Sequence, residues 1–370
     1  MIKINKKNAI FYVLTISLAL LLSLFITTQI AIFYFKGRDL LYQEHPFINF
    51  EIRPNQKIIS AGTKLTHLRD ITINQYGFRG DEITMPKGKD VFRIFILGGS
   101  SVFEYVSSEK ETFTKILEKN LNSAKWIPSK KIECINAGVP GYNVMNSLQT
   151  YIYKIRYLQP DLIIVYHTWN DIKYFKKANG KPIDASLVQN FREDVYDYIN
   201  KSFPWNSFYA VPVLFERIWS KLSYLGMNKV LYNEDKVKAK IISAPNSFPG
   251  ATLFQNSLND LVTLIQNDHV QVVVASEASL VKADNSRDEN ASIGYDAIDI
   301  SHDEFFVAHQ TATHIIKQIS QQHHIPYIPI RENTMNFTLA EIADHVHLNP
   351  AGSAIVANFL YENLLPLQFN

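Results

Sequence analysis

From Val91 onward, short apolar runs alternate with stretches of helical spacing, and that rhythm leaves few folds open. Val91–Leu97 (VFRIFIL) is a continuous apolar run that closes on Gly98-Gly99, as a buried strand followed by a tight turn would. Residues 112–122 place Phe113, Ile116, Leu117 and Leu121 on one helical face. Lys131–Ile135 reads as a second strand, and Asn146–Leu158 as a helix ended by Pro160. Asp161–Tyr166 is a third strand, Ser257–Gln266 a helix, Val270–Ala275 a fourth strand, Phe305–Gln321 a helix and Tyr327–Ile330 a short fifth strand. Asn349 and Pro350 supply the cap and first position of a last helix running to about Leu365. Fully apolar strands separated by amphipathic helices call for a mostly parallel sheet with both faces covered. The expected fold class is therefore α/β, a three-layer α/β/α sandwich around a five-stranded central sheet, with right-handed crossovers.

A second feature stands apart from this rhythm. Residues 9–35, AIFYVLTISLALLLSLFITTQIAIFYF, carry no charge. The run is about 27 residues long, where roughly 20 suffice to span a bilayer. Phe11 and Tyr12 lie near one end and Phe33, Tyr34 and Phe35 at the other, in the positions of an interfacial aromatic belt. The run is too long for the core of a cleavable signal peptide, and Phe-Tyr-Phe-Lys is a poor cleavage site. One transmembrane helix is expected. Lys3, Lys6 and Lys7 precede it, while Lys36 and Arg38 after it are offset by Asp39. This bias would put residues 1–8 in the cytoplasm and the rest of the chain outside it, in the periplasm if the host is a Gram-negative bacterium.

Residues 36–89 are polar and turn-rich, and read as a linker with a few short strands. Residues 90–370 form the main domain. About 173–249 the rhythm breaks into an aromatic-rich, largely helical insertion carrying Trp205, Phe208, Tyr209, Trp219 and Tyr224. It could act as a lid, a carbohydrate platform or a membrane-contacting patch. The basic and acidic residues, 37 and 35, balance to +2, which gives no reason to expect nucleic acid as a partner. Cys134 is the single cysteine, so no intrachain disulfide can form, and its apolar surroundings suit a core thiol.

In a parallel α/β sheet, ligands bind beyond the carboxyl ends of the strands. Those ends carry Gly98-Gly99-Ser100-Ser101, Asn136-Ala137-Gly138, His167-Thr168-Trp169-Asn170-Asp171 and Ser276-Glu277. In LGGSSVFEY, glycines allow a sharp turn from which a serine hydroxyl projects. The segment lacks the Lys-Ser/Thr of a phosphate-binding loop and the third glycine of a dinucleotide fingerprint. In NAGVPGYN, glycines past a strand can offer a backbone N–H to an oxyanion, and in VYHTWNDIK the Asn170 amide could do the same. In DHVHLNPAG, Asp344 stands three residues before His347, where a carboxylate can accept the ring N–H through a local turn. A capping carboxylate and a His345–His347 metal pair are the other readings of that segment. No further ligands stand at metal-site spacing, and no metal is expected. Each piece is ordinary by itself; all four in this order, each at or near a strand end, are not.

Together they resemble the SGNH (GDSL-like) hydrolases, whose hallmark is a Ser, Gly, Asn and His drawn from four blocks. Here these fall on Ser100 in GGSS, Gly141 in NAGVPG, Asn170 in TWND, and the Asp344–His347 pair in DHVH. The resemblance covers about residues 70–370, including NQYGFRG upstream. It departs at Gly99, where the usual GDS has an aspartate. It implies a flavodoxin-like sheet and a serine esterase that needs no cofactor: Ser100 as nucleophile, His347 as base, Asp344 orienting it, and Ser100, Gly141 and Asn170 as oxyanion hole. The expected substrate is an ester, including an O-acyl group on a glycan or a lipid-type ester. Two other functions fit the same chain: an O-acyltransferase acting on cell-envelope polysaccharide, and a non-catalytic envelope protein on a relic hydrolase fold.

Overall fold

The computed structural model describes residues 42–60, 69–176, 248–293 and 300–367, together with most of residues 11–26. Residues 45–60 and 69–176 fall in one compact unit with the described residues from 248 onward.

The sheet at its centre has five parallel strands: β4 (Val91–Gly98), β5 (Lys131–Gly138), β6 (Leu162–Tyr166), β7 (Gln271–Ala275) and β8 (Tyr327–Ile328). Among the short strands before them are β1 (Asn49–Ile52), β2 (Gln56–Ser60) and β3 (Arg69–Ile73), of which β2 and β3 pair antiparallel. The order across the central sheet is β5-β4-β6-β7-β8. After β4 the chain adds β5 on one side, then crosses back to add β6 on the other. The crevice where the order reverses therefore opens at the carboxyl ends of β4 and β6.

Burial explains why these runs are strands. Every residue of β6 is buried, as is all of β4 except Val91, and only a strand covered on both faces tolerates that. Arg93 is a charge in the middle of β4, yet its guanidinium is fully satisfied. It donates to Glu133, to the Leu158 carbonyl and to the Thr84 carbonyl.

The helices that frame the sheet and its strand ends are α1 (Ser100–Phe103), α2 (Phe113–Ser123), α3 (Val144–Tyr153), α4 (Trp169–Ile172), α5 (Ala251–Asn267), α6 (His302–His323), α7 (Ile330–Asn333) and α8 (Pro350–Leu364). α2 packs on α8, whereas α3 packs on α5 and α5 on α6. Two helical groups thus flank the sheet. The caps are the ones the side chains call for. Thr112 accepts from the Lys115 N–H, and Asn349 accepts from Ala351 and Gly352 with Pro350 at the first helical position. Asn143 and Asn146 form a reciprocal box at the start of α3. That helix is shorter than its spacing predicts: it stops at Tyr153, and a 3-10 turn, Ile155–Leu158, finishes the segment. Gln159 then turns the chain with φ 55°, ahead of Pro160.

The described residues of the uncharged N-terminal run are helical between 11 and 26, and Phe11, Leu14, Leu18 and Phe25 lie exposed along it. Among the described residues no helix is long and apolar enough to cross a membrane. Much of the predicted span, including residues 27–35, lies outside the described residues. So do residues 177–247, which hold all five aromatics named in the insertion. The insertion's two roots are described and meet: the Gly250 N–H donates to the Phe175 carbonyl at 3.0 Å, and Phe175 packs against Phe248.

Candidate active site

Strand register brings the strand-end residues to one level. Gly98 pairs with Gly138 on one side and Tyr166 on the other, and Tyr166 pairs with Ala275. Ser100, Gly141, Asn170 and Glu277 therefore all emerge within a few residues of one line across the sheet.

Ser100 opens α1 immediately after the glycine turn. The glycines there are sterically required. A Cβ on Gly98 would meet the Tyr166 carbonyl at 2.7 Å, and one on Gly138 would meet the Phe103 nitrogen at 2.4 Å. Of the two adjacent hydroxyls, Ser100 keeps the opening: it is 9 % exposed against 2 % for Ser101.

His347 reaches this serine from the loop before α8. Its Nε2 lies 2.8 Å from Ser100 Oγ, and its Nδ1 lies 2.7 Å from Asp344 Oδ2. The other Asp344 oxygen accepts the backbone N–H groups of Val346 and His347, each at 2.9 Å. One carboxylate thus fixes both its own loop and the imidazole. Burial alone would raise the Asp344 carboxyl. The His347 hydrogen bond, the two nearby imidazoles of His347 and His345 and the Val346 N–H together hold it well below the usual carboxylate range. An ionised carboxylate can only accept, so Nδ1 carries a proton; in the neutral ring Nε2 then offers a lone pair to Ser100.

The remaining predicted residues border this row. Asn170 donates its amide to the Tyr142 carbonyl at 2.8 Å, which uses one of its two N–H bonds and leaves the other for a ligand. Gly141, with φ 89°, lies one residue before that carbonyl. Among the described residues no acceptor takes the Gly141 N–H. The loop is braced from outside: the Tyr142 hydroxyl donates to the Phe50 carbonyl, so β1 supports the site.

His345 stands apart from this row. Its ring lies 4.0 Å from that of Trp169, and among the described residues neither of its buried nitrogens has a hydrogen-bond partner. Burial lowers its pKa to about 4, which keeps it neutral. Both nitrogens of His347 are engaged, Nδ1 by Asp344 and Nε2 by Ser100. Cys134 is buried in β5, where desolvation and the nearby Glu118 push its thiol well up.

Two carboxyls that motif reading leaves without a role belong to the same neighbourhood. Asp171 accepts the Val144 N–H at 3.1 Å and so ties α4 to the start of α3; burial pushes its carboxyl well up. Glu277 contacts Ser101 and the Trp169 N–H. Position at a strand end is the only sequence signal for either.

The chain resembles the SGNH hydrolases. No family model and no curated protein matches it. Several solved structures overlay on it. One is an acetyl xylan esterase, AlAXEase, with 13 % identity, 73 % of this chain and 98 % of that one covered, and a TM-score of 0.42. Another is a catalytic mutant of Axe2, an acetylxylan esterase from Geobacillus stearothermophilus, with 10 % identity, 75 % and 95 % covered, and a TM-score of 0.43. A third is a lipase/acylhydrolase from Enterococcus faecalis, with 10 % identity, 75 % and 98 % covered, and a TM-score of 0.42. At such identities the functional reading rests on this chain's own site.

Proposed function

We propose that this chain is a serine esterase of the SGNH type, anchored in a membrane by its N-terminal run. The observation that carries the reading is the unbroken row from Ser100 Oγ through the His347 ring to Asp344, with contacts of 2.8 and 2.7 Å. A hydroxyl, a neutral imidazole with its lone pair toward that hydroxyl, and an ionised carboxylate on the far nitrogen are the parts acyl transfer needs.

In this reading His347 Nε2 takes the Ser100 proton as Oγ attacks an ester carbonyl. Asp344 stabilises the imidazolium that forms. The carbonyl oxygen, now negative, is met by the Ser100 and Gly141 N–H groups and by the second N–H of Asn170. Each such donor is typically worth about 2.7–4 kcal/mol in the transition state. His347 returns its proton to the leaving alcohol, and the acyl group stays on Ser100. Water, deprotonated by His347, then releases the acid. The substrate is an ester, with O-acyl groups on glycans and lipid-type esters as the candidate classes.

The anchor is supported by the absence of charge in residues 9–35 and by the apolar side chains exposed along the described part of that run. With Lys3, Lys6 and Lys7 on the cytoplasmic side, the catalytic domain works outside the cytoplasm.

The test is hydrolysis of p-nitrophenyl acetate and butyrate by the full chain in detergent. Ser100→Ala abolishes it while leaving the protein folded. Activity that survives this substitution would overturn the reading.

A further inference from the structure

α1 and α4 carry the nucleophile and the oxyanion amide, and each is only four residues long. Helices this short do not hold themselves; one turn orders several residues for very few hydrogen bonds. What fixes them relative to each other must come from outside. One side chain touches both. Glu277, just past β7, accepts the Ser101 hydroxyl on Oε1 and the Trp169 N–H, 2.6 Å away, on Oε2. Ser101 directly follows Ser100, and Trp169 directly precedes Asn170. The anchor itself is firm. Ala275 pairs with Tyr166 in the sheet, and the Ala278 N–H donates to the Tyr166 hydroxyl at 2.8 Å.

Glu277 is 3 % exposed, and among the described residues no lysine or arginine forms an ion pair with it. Desolvation raises its carboxyl to about 7, despite the Ser101 and Trp169 donors and the nearness of His347 and Arg331. A buried acid is costly, and an apolar side chain of similar size would serve packing alone at least as well. The chain keeps this acid at the point where the two turns meet.

We propose that Glu277 is a positioning residue of the esterase. By accepting from Ser101 with one oxygen and from Trp169 with the other, it sets the turn that bears Ser100 against the turn that bears Asn170. This rests on the serine-esterase reading above.

The test compares wild type, Glu277→Ala, Glu277→Gln and Ser101→Ala as full-length protein in detergent, with p-nitrophenyl acetate. It reads kcat and KM separately, the rate of covalent labelling by a fluorophosphonate, and the thermal midpoint. Misplacing reacting groups by about 1 Å can cost about 100-fold, so Glu277→Ala is expected to lower kcat and labelling by about that factor, with KM changed by less than about threefold. Glutamine offers its carbonyl to Trp169 and its amide to the Ser101 oxygen, so Glu277→Gln recovers kcat to within about tenfold of wild type. Ser101→Ala removes one of the two contacts and falls between them; with Glu277→Gln it decides the matter if the alanine variant does not fold. A folded Glu277→Ala with wild-type kcat would overturn the proposal. So would a Glu277→Gln as impaired as the alanine variant, since the charge would then matter and not the contacts. If wild type neither hydrolyses the ester nor labels, the esterase reading fails by itself. A crystal structure of Glu277→Ala then judges the positioning: it stands if α1 and α4 shift relative to each other and falls if they do not.

Discussion

A Cβ on Gly99 would stand 2.5 Å from the amide nitrogen of Asn170 and 3.1 Å from the Tyr142 carbonyl that this amide already binds. This gives a physical reason for the one departure from the hydrolase pattern, glycine where an aspartate is usual. The amide is pinned, so a side chain at position 99 must push it aside. Gly99→Ala and Gly99→Asp are expected to lower kcat for p-nitrophenyl acetate by about 10- to 100-fold with little change in KM, approaching the loss for one oxyanion donor. Wild-type kcat in Gly99→Asp would show that the amide is free to move without cost.

Asp344 holds the His347 tautomer as well as its loop. Asp344→Asn keeps the shape but lets the amide donate to Nδ1, which puts the ring proton on Nε2 and leaves Ser100 without a base. The expected loss in kcat is on the order of 10³–10⁴, at unchanged thermal midpoint. A loss below tenfold would make Asp344 a loop brace only. His345→Ala, which leaves the row intact, is expected to cost far less than His347→Ala; equal losses would reopen the metal reading.

Stability should fall as pH rises through neutrality, and Glu104 is one reason. Burial raises its carboxyl from 4.5 to about 8, against the Ser353 hydrogen bond, the charge of Arg79 and the Phe113 N–H. Below pH 4.5 the folded and unfolded chains both hold this proton. Between 4.5 and about 8 the unfolded chain has lost it and the folded chain has not, so unfolding becomes easier by up to about 1.4 kcal/mol per pH unit. Glu104→Gln can accept from Phe113 and donate to Ser353, and it removes this slope. Urea unfolding at pH 4.5 and pH 8.5 should show the variant gaining on wild type with rising pH. A difference independent of pH would contradict the assignment.

Sequence and structure agree where local chemistry suffices. Five apolar runs became five parallel strands, and Asn349-Pro350 opens the last helix as its side chains dictate. Ser100, Asn170, Asp344 and His347 were legible because each sits beside a turn or strand end with a chemical signature. Glu277 and Asp171 were not. Their partners, Ser101 and Val144, lie far away along the chain, and a lone acid past a strand says nothing about which backbone N–H it will meet. The β1 segment is a similar case: residues 36–89 read as a linker with a few short strands, but nothing in their sequence says that the Phe50 carbonyl takes the Tyr142 hydroxyl and braces the Gly141 loop.

The N-terminal run makes its own prediction. The full chain should stay with the membrane through alkaline carbonate extraction. A charge near the middle of a span costs about 2.5–3.5 kcal/mol, so replacing both Leu18 and Leu20 with lysine should shift the protein toward the soluble fraction. Wild-type protein released by carbonate would contradict the anchor.

In the proposed reaction His347 activates Ser100. The most direct test of that step is to treat the full chain with a fluorophosphonate and map the adduct by peptide mass spectrometry. A single adduct on Ser100, lost in His347→Ala while that variant remains folded, is the predicted result. An adduct on Ser101 or elsewhere, or undiminished labelling of Ser100 without His347, would contradict it.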